Sequence, residues 1–307
     1  MSSRIIVPLD GSPLAERALP YALALASATG ATVTLMQVVP SSHLMRDYYV
    51  RYDASMEAEQ AATAGAALEA RARSLSSATL PINAYIAVGD AAEEIVRYAE
   101  RGGETYIVMA THGRGGILHW AFGSVARKVL TAATVPTLIV RSETEPEHPA
   151  QAVTIRNLLV PLDGSTLAEK AVPLARDLAR NLGAQVTLVR VVPFLTSLIG
   201  SYGEAMLAMN DDGAMEEMRM SAREYLTKIN QTFAAAGVTS DMVVKQGGAP
   251  IALLELLDTK KYDLVVMSTH GRTGAKRWVL GSVAERLVEA SHTPVMLVRA
   301  SDEPVVK

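Results

Sequence analysis

Apolar residues along this chain follow two alternating periods, and the alternation runs through the chain twice. Short unbroken runs such as Ile5-Ile6-Val7 and Val33-Thr34-Leu35-Met36 are rich in β-branched residues. Runs of that kind read as parallel strands covered on both faces. Between them lie alanine- and leucine-rich stretches of helical spacing, among them Leu14 to Ala28 and Ala91 to Tyr98. Each half therefore predicts β-α-β-α-β-α-β-α-β, a doubly wound, Rossmann-like α/β domain with a five-stranded parallel sheet. In that architecture ligands settle beyond the carboxyl ends of the strands, at the point where strand order reverses.

The duplication is nearly position by position. "RIIVPLDGSPLAERALPYALALASATGATVTLMQVVP" from Arg4 is answered by "NLLVPLDGSTLAEKAVPLARDLARNLGAQVTLVRVVP" from Asn157. "VGDAAEEI" at Val88 is answered by "QGGAPIAL" at Gln246, and "YIVMATHGR" by "LVVMSTHGR". The registers show that the second copy carries about five extra residues between Pro193 and Gly247. The expected organisation is a first domain over 1–141, a polar, proline-containing linker over 142–154 and a second domain over 155–307.

Composition narrows the function classes. The chain has 307 residues, 49% apolar and 20% charged, as in a soluble globular protein. A net charge of -3 without a long basic run argues against nucleic-acid and anionic-membrane partners. The absence of cysteine excludes disulfides and thiolate chemistry and fits a reducing compartment. No run reaches the roughly 20 apolar residues that a membrane span needs, and the amino terminus enters a strand pattern directly, so a cytoplasmic location is expected.

Two motifs carry candidate chemistry. "VPLDGS" puts Asp10 at the end of the first strand, with Gly11 for the turn and Ser12 to cap the following helix. Asp163, Gly164 and Ser165 repeat it. The carboxylate either stabilises an Asp-Gly turn or accepts hydrogen bonds from a ribose or an adenine edge. After the fourth strand comes His112-Gly113-Arg114-Gly115-Gly116, and Gly123-Ser124 then opens a helix. The second copy has His270-Gly271-Arg272 and then Gly281-Ser282. A helix start offers free N–H groups and partial positive charge, and glycine lets a phosphate come close. Arg114 and Arg272 are candidates for additional charge, or are simply solvated. His112 and His270 have no acidic partner or second histidine nearby in sequence, which favours structural hydrogen bonds over catalysis or metal binding. Neither a Gly-x4-Gly-Lys-[Ser/Thr] loop nor a Gly-x-Gly-x-x-Gly turn is present, and no paired base and nucleophile stands out.

With these residues in view, the chain resembles the universal stress proteins in their tandem-domain form, over essentially its whole length. The ATP-binding branch of that family carries Gly-x2-Gly-x9-Gly-[Ser/Thr]. Here the second and third glycines are Gly113 and Gly123, and Gly271 and Gly281, while Ala110 and Ser268 replace the first. The resemblance implies ATP as ligand, with Asp10 and Asp163 on ribose or adenine and Pro8 and Pro161 on the same edge. Val38, Val191, Met109 and Met267 would meet the adenine. Gly113, Gly123, Ser124 and Val125, and Gly271, Gly281, Ser282 and Val283, would supply phosphate donors. Mg2+ or Mn2+ would bridge the phosphates without a dedicated carboxylate cluster. The resemblance also implies pairing of the repeats through their last strands, Thr137 to Val140 and Val295 to Val298, and leaves room for a homodimer. A nucleotide-dependent regulatory module is the leading expectation. A scaffold that has lost its nucleotide and a slow ATPase or phosphoryl transferase are the alternatives.

Overall fold

The computed structural model describes residues 3–42, 54–111, 123–141, 153–194, 211–270 and 280–299. The chain divides into two compact units, 1–154 and 155–307. The first unit holds strands β1 (Arg4–Pro8), β2 (Thr32–Val39), β3 (Ile82–Val88), β4 (Thr105–Ala110) and β5 (Thr137–Val140). Its helices are α1 (Leu19–Thr29), α2 (Ala54–Leu75), α3 (Ala91–Ala99) and α4 (Ser124–Ala132). The second unit holds β6 (Asn157–Pro161), β7 (Gln185–Val192), β8 (Ser240–Gln246), β9 (Leu264–Ser268) and β10 (Val295–Val298). Its helices are a short α5 (Thr166–Glu169), α6 (Ala171–Leu182), α7 (Asp211–Ala234), α8 (Ala249–Thr259) and α9 (Ser282–Ala290).

Strand order in the first unit is β3-β2-β1-β4-β5, with neighbours parallel. The second unit has β8-β7-β6-β9-β10, again parallel. This is the doubly wound α/β architecture expected from the alternating periods. The order reverses between β1 and β4, and between β6 and β9. Those junctions open a crevice at the strand ends, and both sequence motifs end there.

The strands read as apolar runs because helices cover both faces. Ile5, Ile6, Leu35, Met36 and Ile107 are fully buried in the first unit, and Leu158, Leu159, Leu178 and Phe233 in the second. Each such side chain contributes about 1.5–3 kcal/mol relative to exposure. In β3 and β8, at the sheet edges, some residues are exposed, among them Val88 and Met242.

The stretch predicted as one helix from Leu14 to Ala28 is broken. Residues Ala15–Ala18 form a tight 3₁₀ turn, and α1 begins at Leu19. Pro20 has no N–H to give the Glu16 carbonyl, so the Leu19 N–H takes that acceptor instead. The second unit breaks at the same place, between α5 and α6, ahead of Pro173. Among the described residues no helix is long and apolar enough to cross a membrane.

Candidate nucleotide site

In the second unit the crevice is a cavity of about 360 Å³, within the range of small-molecule sites. Its floor begins at β6. The Leu162 N–H still reaches the Val189 carbonyl at 2.8 Å, and the chain then turns at Asp163. Asp163 Oδ1 accepts from the Ser165 amide at 2.9 Å and from its hydroxyl at 2.6 Å. The Ser165 hydroxyl in turn accepts from the Ala168 amide at 3.1 Å, capping α5. The first unit repeats the device: Asp10 Oδ1 accepts from the Ser12 amide and hydroxyl at 3.0 and 2.6 Å. Ser12 Oγ accepts from Ala15 N at 3.2 Å. The turn-stabilising reading of both aspartates is therefore real. In the second unit the same turn leaves Asp163 lining the cavity.

Behind the turn the two units differ. Arg190 of β7 lays its guanidinium 4.9 Å from the Tyr225 ring centroid. It also packs over Gly164, where a Cβ would lie 3.0 Å from the guanidinium and φ is +87°. Burial, reinforced by Glu169, pushes the Tyr225 phenol well above its ordinary pKa. The first unit has Gln37 at the position of Arg190. There Arg71 holds Glu16 through two hydrogen bonds of 3.1 and 2.7 Å.

The far wall comes from β9 and α9. Ser268 ends β9 in extended backbone, as Ala110 ends β4, so replacing the family's first glycine carries no positive-φ strain there. The chain returns at Gly281, whose N–H donates to the Thr269 carbonyl at 2.9 Å; Gly123 donates to Thr111 at 3.0 Å. These two amides are therefore committed to the protein's own backbone rather than to a phosphate. A Cβ on Gly281 would sit 2.9 Å from the Thr269 oxygen, and φ there is an ordinary −64°. Close backbone contact explains this glycine. No side chain caps α9, so its first-turn amides, from Ser282 onward, have no intrahelical acceptor.

Pro161, Asp163, Val191, Met267, Ser268, Gly281, Ser282 and Val283 all line the cavity. Pro8, Asp10, Val38, Met109, Ala110, Gly123, Ser124 and Val125 hold the matching positions in the first unit. Gly113, Arg114, Gly271, Arg272 and His112 lie outside the described residues. Sequence reasoning missed Gly247, Gly248, Ala249 and Leu253, which bring the start of α8 into the wall. The signal was the repeated glycine at Gly89 and Gly247. His270 also lines the cavity; its Nδ1 lies 3.1 Å from Thr269 Oγ1, and its Nε2 is buried without a partner.

The sequence profile of the Universal stress protein family matches residues 1–141 and 154–299. The chain belongs to that family. A universal stress protein of Methanocaldococcus jannaschii is 31% identical over 144 residues, 47% of this chain and 82% of that one. A universal stress protein of Mycobacterium tuberculosis is 23% identical over 199 residues, 64% of this chain and 62% of its own length. In fold, the chain is similar to the crystal structure of a universal stress protein from Archaeoglobus fulgidus. The TM-score is 0.69 at 18% identity, covering 98% and 97% of the two chains.

Proposed function

We propose that this universal stress protein is a cytoplasmic module that binds an adenine nucleotide, ATP, at its strand ends. It acts through the nucleotide-bound state rather than through turnover. The observation that carries this reading is the cavity of the second unit, where the duplicated motifs converge. Val189, Val191, Leu253 and Met267 give an apolar slot suited to a base. Asp163 lies at the edge where a ribose hydroxyl would donate. The open amides at the start of α9 suit a phosphate. His270 Nε2, buried and unpaired, is a polar atom that calls for an occupant. The described residues contain no cluster of three or more histidine or acidic side chains for a metal. Mg2+ or Mn2+ would be held mainly by the phosphates.

Native mass spectrometry of freshly purified protein, followed by ATP titration against thermal unfolding, tests the reading. Ligand at a hundredfold above Kd should add about 2.7 kcal/mol. Asp163→Asn keeps the Oδ1 acceptor of the turn while removing the charge, so it should fold normally and bind more weakly. A flat melting temperature across the titration would favour a scaffold without nucleotide. Turnover abolished by one side-chain change would make the protein an enzyme.

A further inference from the structure

The carboxylate in the second unit's cavity has the wrong sign for a polyanion. Asp163 is the acidic side chain among the described lining residues, and no lysine or arginine joins it there. A carboxylate beside a triphosphate costs affinity unless a cation stands close to it. The cation beside Asp163 comes from outside the cavity wall.

Side chains alternate along β7, so Val189 and Val191 line the cavity while Arg190, between them, points to the opposite face. There its guanidinium meets two surfaces. One is the Tyr225 ring of α7, with its centroid 4.9 Å away. The other is the backbone of Gly164, where a Cβ would stand 3.0 Å from Nη2. Gly164 is the middle residue of the turn from Asp163 to Ser165, so the cation is fixed beside the turn that carries the cavity's carboxylate.

The first unit shows what this placement changes. By strand register Gln37 stands where Arg190 does, and by repeat Glu16 stands where Glu169 does. Arg71 answers Tyr225, since the buried pair Leu68 and Ala72 matches Ala222 and Leu226. Each unit thus places two carboxylates and one cation around this turn, but the cation has moved. In the first unit Arg71, on the helix, grips Glu16 through bonds of 3.1 and 2.7 Å. In the second it is on the strand, beside the aspartate of the site. The Asp10 turn forms with the same bonds, 3.0 and 2.6 Å, with a glutamine at the strand position. What Arg190 adds is therefore charge rather than the turn itself.

We infer that Arg190 is a specificity-determining residue of the second site: its guanidinium offsets the Asp163 carboxylate and so favours a phosphorylated nucleotide over the bare nucleoside. This rests on the adenine-nucleotide reading and assigns the preference for phosphate to a residue outside the cavity. Arg190 is partly exposed, so solvent screening limits its effect to about tenfold in affinity.

ATP and adenosine, titrated separately into the full-length chain, test this. Hydrogen-exchange protection of peptides over 161–168 and 247–253, both in the cavity wall, follows occupancy of the second site. Arg190→Gln installs the residue that the first unit carries and should fold as wild type does. It should weaken ATP about three- to tenfold and leave adenosine unchanged, and Arg190→Lys should recover most of the loss. Arg190→Met, which keeps the stem against Tyr225, serves the same comparison if the glutamine variant does not fold. Equal losses for ATP and adenosine would mean that Arg190 acts through the shape of the site. That result would overturn the inference and leave the nucleotide reading standing, as would unchanged binding of both ligands or no recovery in Arg190→Lys. Protection by neither ligand in the wild-type chain would overturn both.

Discussion

Gly281 illustrates what a single residue can and cannot disclose. Its recurrence at fixed spacing is plain in the sequence, as is that of Asp10 and Asp163. The reason for it is not, because a phosphate and a carbonyl oxygen both require that no Cβ stand in the way. The structure assigns the space to the Thr269 oxygen, 2.9 Å from where a Cβ would lie. Backbone cannot swing aside as a flexible side chain would. Gly281→Ala should thus cost about 1–3 kcal/mol through overpacking, read as a lower urea midpoint with an unchanged m-value. A midpoint within error of wild type would mean that the helix start shifts freely. The unpaired Nε2 of His270 left no trace in the sequence, since burial of one ring nitrogen depends on elements remote along the chain.

Among the elements, strands and most helices were legible because alternate coverage of a parallel sheet imposes two unlike periods. The prediction of a helix over Ala91 to Tyr98 agrees with α3, Ala91–Ala99. The break ahead of Pro20 was legible in principle from the missing N–H, yet the alanine-rich context masked it. The start of α8 was passed over as part of the site because "QGGAPIAL" and "VGDAAEEI" share a glycine and an alanine but no polar side chain that would mark chemistry. At α3 the cap carries a pH signature. Asp90 Oδ1 accepts there from the amides of Ala92 and Glu93 at 3.0 and 3.2 Å. Partial burial raises the Asp90 pKa, but the Glu93 amide, Lys128 and the Ala92 amide outweigh it and hold the carboxyl below its ordinary value. The folded pKa of Asp90 lies below its unfolded value near 3.9. Its charge-dependent contribution is therefore present above that unfolded value and lost as pH falls through the folded one. Asp90→Asn retains a capping oxygen without the charge. The stability difference between wild type and Asp90→Asn should stay level from about pH 7 to 5 and shrink below about pH 4, by urea unfolding at each pH. A difference that persists at low pH would assign the effect to something other than this carboxylate. Asp90→Ala removes the cap outright and should lose about 0.5–2 kcal/mol.

At the scale of the molecule, the internal repeat made the architecture readable, because one pattern seen twice is hard to mistake for chance. It hid the differences, which arise where the copies diverge. Each unit has a core of its own, and in the second Phe233, Leu226 and Ala222 of α7 are completely buried. Phe233→Ala should cost about 3–5 kcal/mol. Hydrogen exchange should show the protection of β7 and β8 falling more than that of β1 and β2. Equal loss in all four strands would mean that the chain opens as one cooperative body.

The clasp between Thr269 and Gly281, matched by Thr111 and Gly123, has a consequence for how such a chain can diversify. Strand end and helix start are fastened directly to each other by a main-chain hydrogen bond in each unit. Doubling a loop closed at fixed ends adds only about 0.6 kcal/mol. The span between the clasped residues is therefore set by the fold at both ends, and an insertion between them should leave the urea midpoint of the folded chain close to wild type.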